Sequence, residues 1–206
     1  MDEKQETRLA YEQYADVFEQ KAASYLERYI KDDANQFLSL LPGRRVLDVG
    51  CGPGRDLEFF SRSGMAAVGV DNAQSMVDKC HGKGFRVYQM DLEHLTFEPD
   101  SFDGVWAYAS LLHVPKCRFP STLQEMMRVL DEEGIFYLGM KEGVGEVMKP
   151  SAGMGGQRRL FSFYSRQELE TVLDQWCEIL HFSSTVPASD DVFLNFLCRK
   201  KKVMTK

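Results

Sequence analysis

Three glycines stand close together directly after a short apolar run. The run is VLDV, Val46–Val49, and Gly50, Gly52 and Gly54 follow it in the segment GCGPG. Because glycine has no Cβ, these positions permit a tight turn and allow a ligand to approach the backbone closely. A single GxG segment is a weak indication, since glycine turns also close ordinary βα units. The turn therefore predicts a nucleotide site only if other parts of the chain support it.

Two carboxylates after the next two apolar runs provide that support. Asp71 directly follows the run AAVGV. Asp91 directly follows the run FRVYQM and is itself followed by Leu92. A carboxylate in the place of Asp71 can accept hydrogen bonds from both hydroxyls of a ribose, and an Asp-Leu pair suits the amino edge and the ring face of an adenine. An aspartate after a strand is often only a helix cap. Three such features at three successive strand ends are nevertheless hard to obtain by chance.

The spacing of the glycines argues against two common nucleotide sites. A dinucleotide fingerprint needs a small residue at its sixth position so that the helix packs on the strand, and here that residue is Arg55. NAD is therefore disfavoured, although not excluded. No GxxxxGK[ST] run is present, so a P-loop for nucleoside triphosphates is not expected. The five cysteines form no CxxC pair and have no histidine at zinc spacing, so we expect no metal site.

Candidates for acid–base chemistry follow the fourth predicted strand. Tyr108, Ser110 and His113 lie in the segment AYASLLHV. His113 is the best candidate for a general base, since an unperturbed histidine titrates near neutrality. A structural histidine bonded to a backbone carbonyl is an equally good interpretation.

Further charged residues follow the fifth predicted strand, where an acceptor molecule would lie. Lys141, Glu142 and Glu146 come directly after it, and Arg158 and Arg159 end the glycine-rich stretch that follows. The two arginines could form bidentate pairs with an acidic substrate. Solvent exposure of both is the somewhat better interpretation.

The elements that must position these residues alternate between strands and helices. Such alternation implies right-handed crossovers and a mostly parallel sheet, in which ligands bind at the carboxyl ends of the strands. The predicted strands are Arg45–Val49, Ala66–Val70, Phe85–Met90, Phe102–Ala107 and Gly134–Met140, and the predicted helices are Arg55–Ser63, Gln74–Cys80 and Pro120–Leu130.

The two ends of the chain depart from this alternation. Thr7–Leu41 has helical spacing of apolar and aromatic residues. Gly143–Gly156 contains five glycines and a proline, which predicts a loop of unusual length. A helix follows with Ser165 as its N-cap and Glu168 completing a capping box. Two final strands, about Glu178–Thr185 and Val192–Arg199, are joined by the turn-rich PASDD and predict an antiparallel hairpin.

The bulk composition is that of an ordinary globular protein. The chain has 206 residues, of which 44% are hydrophobic and 27% charged, and its formal net charge of −6 gives no support to a nucleic-acid partner. No apolar run approaches the roughly 20 residues that cross a bilayer, and the start lacks the apolar core of a signal peptide. We therefore expect a cytoplasmic monomer or homodimer with no nucleic-acid or membrane partner.

Five segments together resemble the successive motifs of one enzyme family. VLDVGCGPG, GVDNAQSMV, MDLEHL, FDGVWA and RVLDEEGIFYLGMK occur in order within Tyr11–Lys141. They are similar to the motifs of class I S-adenosylmethionine-dependent methyltransferases, and GCGPGRD with YEQYADVF resembles the small-molecule branch. The resemblance implies a doubly wound α/β fold with a seven-stranded, mostly parallel sheet, an antiparallel last strand and an N-terminal helical lid. It also implies S-adenosyl-L-methionine as cofactor and S-adenosyl-L-homocysteine as product.

The resemblance assigns roles to particular residues. It places the glycine turn against the methionine part of the cofactor, Asp71 at the ribose, and Asp91 with Leu92 at the adenine. The N-terminal tyrosines, Tyr11 and Tyr14, line the site or simply pack in the core. The expected cofactor-binding residues are Asp48, Gly50, Cys51, Gly52, Gly54, Arg55, Asp71, Asn72, Met76, Asp91, Leu92, Tyr108 and Tyr14, and the expected catalytic residues are His113 and Tyr108.

The expected function is in-line methyl transfer to a small-molecule acceptor. The segment AYAS lacks the (Asn/Asp)-Pro-Pro-(Tyr/Phe) run of enzymes that methylate amino groups of nucleic-acid bases. Methylation of a protein or peptide, a cofactor-binding protein without catalysis and an NAD-type dehydrogenase remain alternatives. We expect one domain over 1–206, with a helical cap at 1–42, a cofactor-binding core at 43–141 and a substrate-side region at 142–206.

Overall fold

The computed structural model describes residues 2–150, 155–187 and 191–202 of the chain. Four helical segments come first: α1 (Glu3–Gln13), α2 (Ala15–Ala22), a π-helical turn (Leu26–Ile30) and α3 (Lys31–Leu40). The following elements are β1 (Arg45–Val49), α4 (Arg55–Arg62), β2 (Ala66–Asp71), α5 (Gln74–Gly82), β3 (Val87–Gln89), β4 (Phe102–Tyr108), a 3₁₀ turn (Leu111–His113), α6 (Phe119–Val129), β5 (Leu130–Lys141), β6 (Glu146–Pro150), β7 (Arg158–Ser162), α7 (Arg166–Leu173), β8 (Cys177–Thr185) and β9 (Phe193–Lys200).

The main sheet has seven strands in the order β3-β2-β1-β4-β5-β9-β8. Strands β1 to β5 pair in parallel, whereas β9 runs antiparallel to both β5 and β8. This confirms the fold expected from the sequence. The strand order reverses at β1, which has β2 on one side and β4 on the other. In an open α/β sheet the crevice at such a reversal is the usual ligand site.

The centre of the sheet is buried on both faces, as parallel strands with covering helices must be. Every residue of β4 is buried. Trp106 of β4 stacks on Tyr137 of β5 with 3.8 Å between the ring centroids and 7° between the planes. Phe37 of α3 packs edge-on against the same indole. This aromatic layer ties the N-terminal helices to the two strands that lead to the candidate site.

The stretch Gly143–Gly156 is not a continuous loop, which corrects the expectation from its glycines. It contains β6, which pairs antiparallel with β7 in a separate two-stranded sheet. The physical reason is the placement of the glycines: Gly143 and Gly145 precede β6, and β6 itself, EVMKP, contains none. Residues 151–154 of this stretch, and residues 188–190 of the turn PASDD, lie outside the described part of the chain.

Helix α1 is fixed across the carboxyl ends of the strands by polar contacts. The Glu12 carboxylate accepts the backbone N–H groups of Gln74 and Ser75, at 2.7 and 2.9 Å, and so caps α5. A carboxylate at a helix N-terminus also interacts favourably with the helix dipole. At the other side, Thr7 Oγ1 accepts the backbone N–H of Leu160 in β7 at 2.9 Å. In the described residues, no helix has the length and apolar character that a membrane crossing requires.

Candidate functional site

A cavity lies at the carboxyl ends of β1, β2 and β4, beneath α1 and α2. Its walls come from the glycine turn, the ends of three strands and the N-terminal helices, so residues distant in sequence meet there. The lining residues are Thr7, Arg8, Tyr11, Phe18, Ala22, Gly50, Cys51, Gly52, Pro53, Arg55, Asp56, Asp71, Asn72, Ala73, Leu92, Tyr108, Ala109, Ser110 and His113. We call it the donor cavity.

The glycine turn forms the floor of the donor cavity, and its conformation requires glycine. Gly50 and Gly52 have φ angles of 70° and 52°, in the left-handed region that other residues rarely adopt. The backbone N–H groups of Gly50 and Cys51 both donate to the Val70 carbonyl, at 2.8 and 3.0 Å. A Cβ on Gly50 would lie 2.4 Å from the Cβ of Ser110. The turn is therefore pressed against the end of β4.

Asp71 holds the glycine turn with both of its carboxylate oxygens. One accepts the backbone N–H of Gly52 and the other that of Ala73, each at 2.9 Å. Burial raises the pKa of Asp71 to about 6, although these backbone hydrogen bonds oppose the rise. Each oxygen still has capacity to accept a further hydrogen bond from a ligand hydroxyl.

Arg55 lines the donor cavity and pairs with the buried carboxylate of Asp56. Its Nε and Nη2 donate to the two oxygens of Asp56, at 2.5 and 2.6 Å, and its guanidinium lies 5.5 Å from the ring centre of Tyr25 and 5.7 Å from that of Tyr108. Behind it, burial and the neighbouring Asp56 raise the pKa of Asp48 well above its usual range. A paired, stacked guanidinium of this kind is held rigidly in place.

His113 lies at the edge of the donor cavity with both ring nitrogens engaged. Its Nδ1 is 2.5 Å from the carbonyl oxygen of Leu160, and its Nε2 is 2.7 Å from the hydroxyl of Tyr11. A carbonyl only accepts, so Nδ1 carries the hydrogen and Nε2 accepts from Tyr11. Burial, assisted by the positive charge of Arg159, lowers the pKa of His113 to about 3. At this pKa the imidazole is a weak base at neutral pH, and the role of His113 as a general base stays a prediction.

Tyr108 is also poorly suited to proton transfer. Its hydroxyl donates to that of Tyr25 at 3.1 Å, and its ring stacks on Phe193 with the centroids 5.4 Å apart. Burial raises the pKa of Tyr108 far above its usual value. The side chain therefore provides a wall, and its catalytic role stays a prediction.

A second cavity of about 340 Å³ adjoins the first and lies towards β5, β7 and β9. We call it the acceptor cavity. Seven residues line both cavities and so mark their junction: Tyr11, Phe18, Ala22, Arg55, Tyr108, Ala109 and His113. Residues that line only the acceptor cavity are Val17, Lys21, Tyr25, Leu112, Lys141, Arg159, Phe161, Asp191 and Phe193. Two ligands could therefore meet at this junction.

Eight of the expected site residues do line the donor cavity, and five do not. The eight are Gly50, Cys51, Gly52, Arg55, Asp71, Asn72, Leu92 and Tyr108, and His113 lies among them as expected of a catalytic candidate. The five are Asp48, Gly54, Met76, Asp91 and Tyr14, which do not line this cavity, and their cofactor-binding role stays a prediction.

Local packing accounts for the positions of three of these five residues, Gly54, Met76 and Asp48. A Cβ on Gly54 would lie 3.0 Å from both Cys80 Sγ and the ring of Phe85, so this glycine serves the packing of α4. Met76 is fully buried beside Ala15. Asp48 is likewise buried, in the strand below the turn.

The remaining two residues, Asp91 and Tyr14, lie outside the donor cavity and contact other parts of the protein. Asp91 accepts from Lys4 of α1 and from the backbone N–H of Glu93, and it borders two further pockets beside the donor cavity. The Tyr14 side chain points away from the donor cavity. Its hydroxyl lies against Gly155, where an added Cβ would be 1.8 Å from it. Tyr11, three residues earlier on α1, enters the cavity instead.

Eight of the described residues that line the donor cavity were not individually predicted as site residues: Thr7, Arg8, Phe18, Ala22, Pro53, Asp56, Ala73 and Ala109. Ala109 adopts a φ of 56° at the junction of the cavities, a strained conformation of the kind that functional sites hold. Nothing in the type of residue signals this conformation. The spacing of Thr7, Tyr11 and Phe18 along the helical segment was the one available signal for the N-terminal wall.

Replacement of His113 by glutamine tests the role of its imidazole in the site. In His113→Gln, we expect transfer rates that keep the wild-type shape of pH dependence between pH 5.5 and 9, since the imidazole is neutral throughout. Stability behaves differently: the folded pKa of about 3 lies below the ordinary 6.5, so the neutral imidazole stabilises the fold above pH 6.5 and progressively less towards pH 3. Urea unfolding at several pH values should show a weaker loss on acidification in the variant. A rate inflection between pH 6 and 7.5 that the variant abolishes would instead establish His113 as a general base.

Comparison with known proteins gives consistent results. Residues 46–134 match the family model described as a methyltransferase domain. The chain is 31% identical to a sterol 24-C-methyltransferase, erg6, of Schizosaccharomyces pombe over 48% of this chain and 28% of that protein. It is 29% identical to the uncharacterized methyltransferase YodH of Bacillus subtilis over 60% of this chain and 52% of YodH. The chain therefore spans about half or less of the length of these relatives.

A solved structure matches nearly the whole chain. It is the 1,6-didemethyltoxoflavin-N1-methyltransferase of Burkholderia thailandensis, crystallised with 1,6-didemethyltoxoflavin and S-adenosylhomocysteine. The TM-score is 0.75 at 20% identity, with 97% of this chain and 87% of the other covered. At this identity the likeness shows a shared fold.

Proposed function

We propose that this chain, a class I methyltransferase by its domain at residues 46–134 and by its fold, transfers a methyl group from S-adenosylmethionine to a small-molecule acceptor. The observation that carries the proposal is a pair of adjoining cavities. The donor cavity lies on the glycine turn, and the acceptor cavity adjoins it at His113 and is lined by aromatic rings. A methyl-transfer enzyme needs this arrangement, because donor and acceptor must meet in line at near-attack distance.

The chemistry of the donor cavity fits this cofactor. Asp71 presents a carboxylate that can accept from ribose hydroxyls. Within the part of the chain that the structure describes, Ser110 Oγ and Asn72 Oδ1 are buried without a hydrogen-bond partner, and both residues line the cavity. Buried polar atoms are normally satisfied, so these two indicate a polar ligand.

The cofactor supplies an electrophilic methyl group on a sulfonium, and the chain has to supply binding, orientation and exclusion of water. Asp71 and Asn72 would hold the ribose side. Arg55, fixed by Asp56, lies where it can face the carboxylate of the methionine part. Leu92 would contact the adenine face, with Asp91 at its outer edge. Tyr11 and Phe18 close the junction from above and exclude water from it.

Among the described residues at the junction, none is a good proton acceptor. His113 is neutral with its Nε2 already accepting from Tyr11, and the pKa of Tyr108 is raised by burial. A general base is required only if the acceptor arrives protonated. We infer that positioning supplies most of the rate and that the acceptor brings a nucleophile that needs no deprotonation by the protein.

Binding and transfer measurements test this function. Calorimetry with S-adenosylmethionine, S-adenosylhomocysteine and NADH should show binding of the first two and no comparable binding of NADH. Transfer from labelled cofactor to a metabolite extract, with a protein lysate in parallel, should place the label in small molecules. Label in protein alone would favour protein methylation, cofactor binding without transfer would favour a binding protein, and NADH binding alone would favour a dehydrogenase.

The same proposal covers the compartment, the partners and the domain organisation of the protein. All five cysteines are free, and only Cys117 is exposed, which fits a reducing compartment such as the cytoplasm. The net charge of −6 disfavours a nucleic-acid partner. We keep the division into a helical cap at 1–42, a cofactor-binding core at 43–141 and a substrate-side region at 142–206, and a monomeric or homodimeric state.

A further inference from the structure

The acceptor cavity has walls that are rich in aromatic rings, which six of its sixteen described lining residues carry. Its aromatic lining consists of the rings of Tyr11, Phe18, Tyr25, Tyr108, Phe161 and Phe193. Phe193 stacks on Tyr108, with 27° between the planes. Flat walls of this kind favour a flat ligand, since aromatic rings pair best in offset-stacked or edge-on arrangements.

The charged groups among these rings are mostly cationic. The described lining contains Lys21, Arg55, Lys141 and Arg159, against the single carboxylate of Asp191. Lys141 Nζ donates to Asp191 at 2.5 Å, and Arg55 is paired with Asp56 behind the wall. Even with Asp56 included, the lining carries more positive than negative charge. Burial, together with repulsion from the positive charges of Arg159 and Lys141, lowers the pKa of the neighbouring His113.

The protein's own cations already occupy the faces of these rings. The guanidinium of Arg159 lies 5.1 Å from the ring centre of Tyr11 and 5.0 Å from that of Phe161. Lys141 Nζ lies 4.7 Å from the ring centre of Phe161 and 5.7 Å from that of Phe193. An aromatic cage that binds a cationic ligand leaves its ring faces to that ligand. In this cavity, positively charged side chains of the protein itself lie over the rings. They would repel a positive ligand and attract a negative one.

Arg158 and Arg159 have opposite surroundings although they are neighbours on β7. Side chains alternate between the two faces of a strand. Arg158 is exposed and lies 3.9 Å from Glu6, whereas Arg159 lines the cavity and donates to the Tyr11 hydroxyl at 2.7 Å. The two arginines therefore provide a matched pair for experiment, with equal change of charge and different access to the cavity.

We infer that the methyl acceptor is a small planar aromatic anion, a carboxylate or phenolate, whose ring lies beside Phe161 and Phe193 and whose negative group faces Arg159 and Lys141. This inference rests on the proposed methyl transfer and specifies its substrate class. A pre-formed oxyanion also removes the need for a base. Its lone pair forms the bond to the methyl carbon, the bond from sulfur to that carbon breaks, and the electron pair stays on sulfur, so that no proton is transferred.

The inference is tested by binding of matched probes to the full chain saturated with S-adenosylhomocysteine. Benzoate, salicylate and 1-naphthoate are compared with their neutral amides and with benzylamine by titration calorimetry and ligand-observed NMR. We expect at least one anion to bind about ten-fold or more tightly than its amide, as loss of a charge-assisted hydrogen bond predicts. The preference should fall to near unity in Arg159→Leu and Lys141→Met and persist in Arg158→Leu.

Each other outcome has a defined meaning. Equal or tighter binding of the amides or benzylamine, an anion preference unchanged in both cavity variants, or no binding of any anion to the saturated protein would overturn the inference. Affinity for S-adenosylhomocysteine, measured in every variant, checks that the donor cavity is intact. Failure of the wild-type chain to bind S-adenosylhomocysteine would contradict the proposed function itself, and this result is separate from the probe series.

Discussion

Replacement of Asp71 by asparagine is expected to weaken binding of S-adenosylhomocysteine by about 10- to 100-fold. The change keeps the shape of the side chain but removes the charge from hydrogen bonds worth about 1.5–3 kcal/mol when one partner is ionised. It also leaves only one oxygen for the two backbone N–H groups of Gly52 and Ala73. Titration calorimetry of both proteins at pH 8 measures the difference.

The raised pKa of Asp71 predicts a specific dependence on pH. With a pKa of about 6, the carboxylate is ionised above that value and protonated below it. Affinity of the wild-type chain for S-adenosylhomocysteine should therefore fall as the pH drops through about 6, and affinity of Asp71→Asn should change little over the same range.

A neighbouring aspartate provides the control for both measurements. Asp78 is exposed on α5, so Asp78→Asn carries the same charge change outside the cavity and should behave like the wild type. Unchanged affinity in Asp71→Asn at pH 8 would show that the ribose does not lie at this carboxylate.

A methyl group on Gly50 is expected to cost about 2–5 kcal/mol of folding free energy. The φ of 70° accounts for about 1–2 kcal/mol with any residue that has a Cβ. The contact of 2.4 Å with the Cβ of Ser110 adds an overpacking cost of about 1–3 kcal/mol. Urea unfolding of Gly50→Ala, without ligand, measures the sum.

Two further variants separate the two contributions. Gly84 has a φ of 81°, and a Cβ there would meet nothing within 4 Å, so Gly84→Ala should show the backbone cost alone. Ser110→Gly removes the atom that a methyl group on Gly50 would strike, so the double variant should recover most of the overpacking cost. Equal losses in Gly50→Ala and Gly84→Ala would show that the turn is not pressed against β4.

The alternation of short apolar runs with helical segments determined the parallel sheet and the location of its site. Successive βα units are almost always connected by right-handed crossovers, so the carboxyl ends of strands that are far apart in sequence reach the same edge of the sheet. Gly50, Gly52 and Asp71 could be placed there because their chemistry is local: each acts at the end of its own strand. The capping box of Ser165 and Glu168 was readable for the same reason, and it is present.

Tertiary packing decided what the pattern could not. Tyr11 and Tyr14 have similar surroundings in sequence, yet only the crossing of α1 over β7 turns Tyr11 into the cavity. The same crossing buries His113 between Tyr11, Leu160 and Arg159, which lowers a pKa that residue type alone sets near neutrality. The sequence does not distinguish Arg158 from Arg159. Strand β7 places their side chains on opposite faces.

The sequence by itself therefore determined the sheet, the glycine turn and the acidic residue beside it, because these depend on short-range geometry and on the topology that it enforces. Only the tertiary structure decided which side chains form the acceptor cavity and how they ionise. Both properties depend on burial and on charges brought together from α1, β5 and β7, and no single segment of the sequence contains that information.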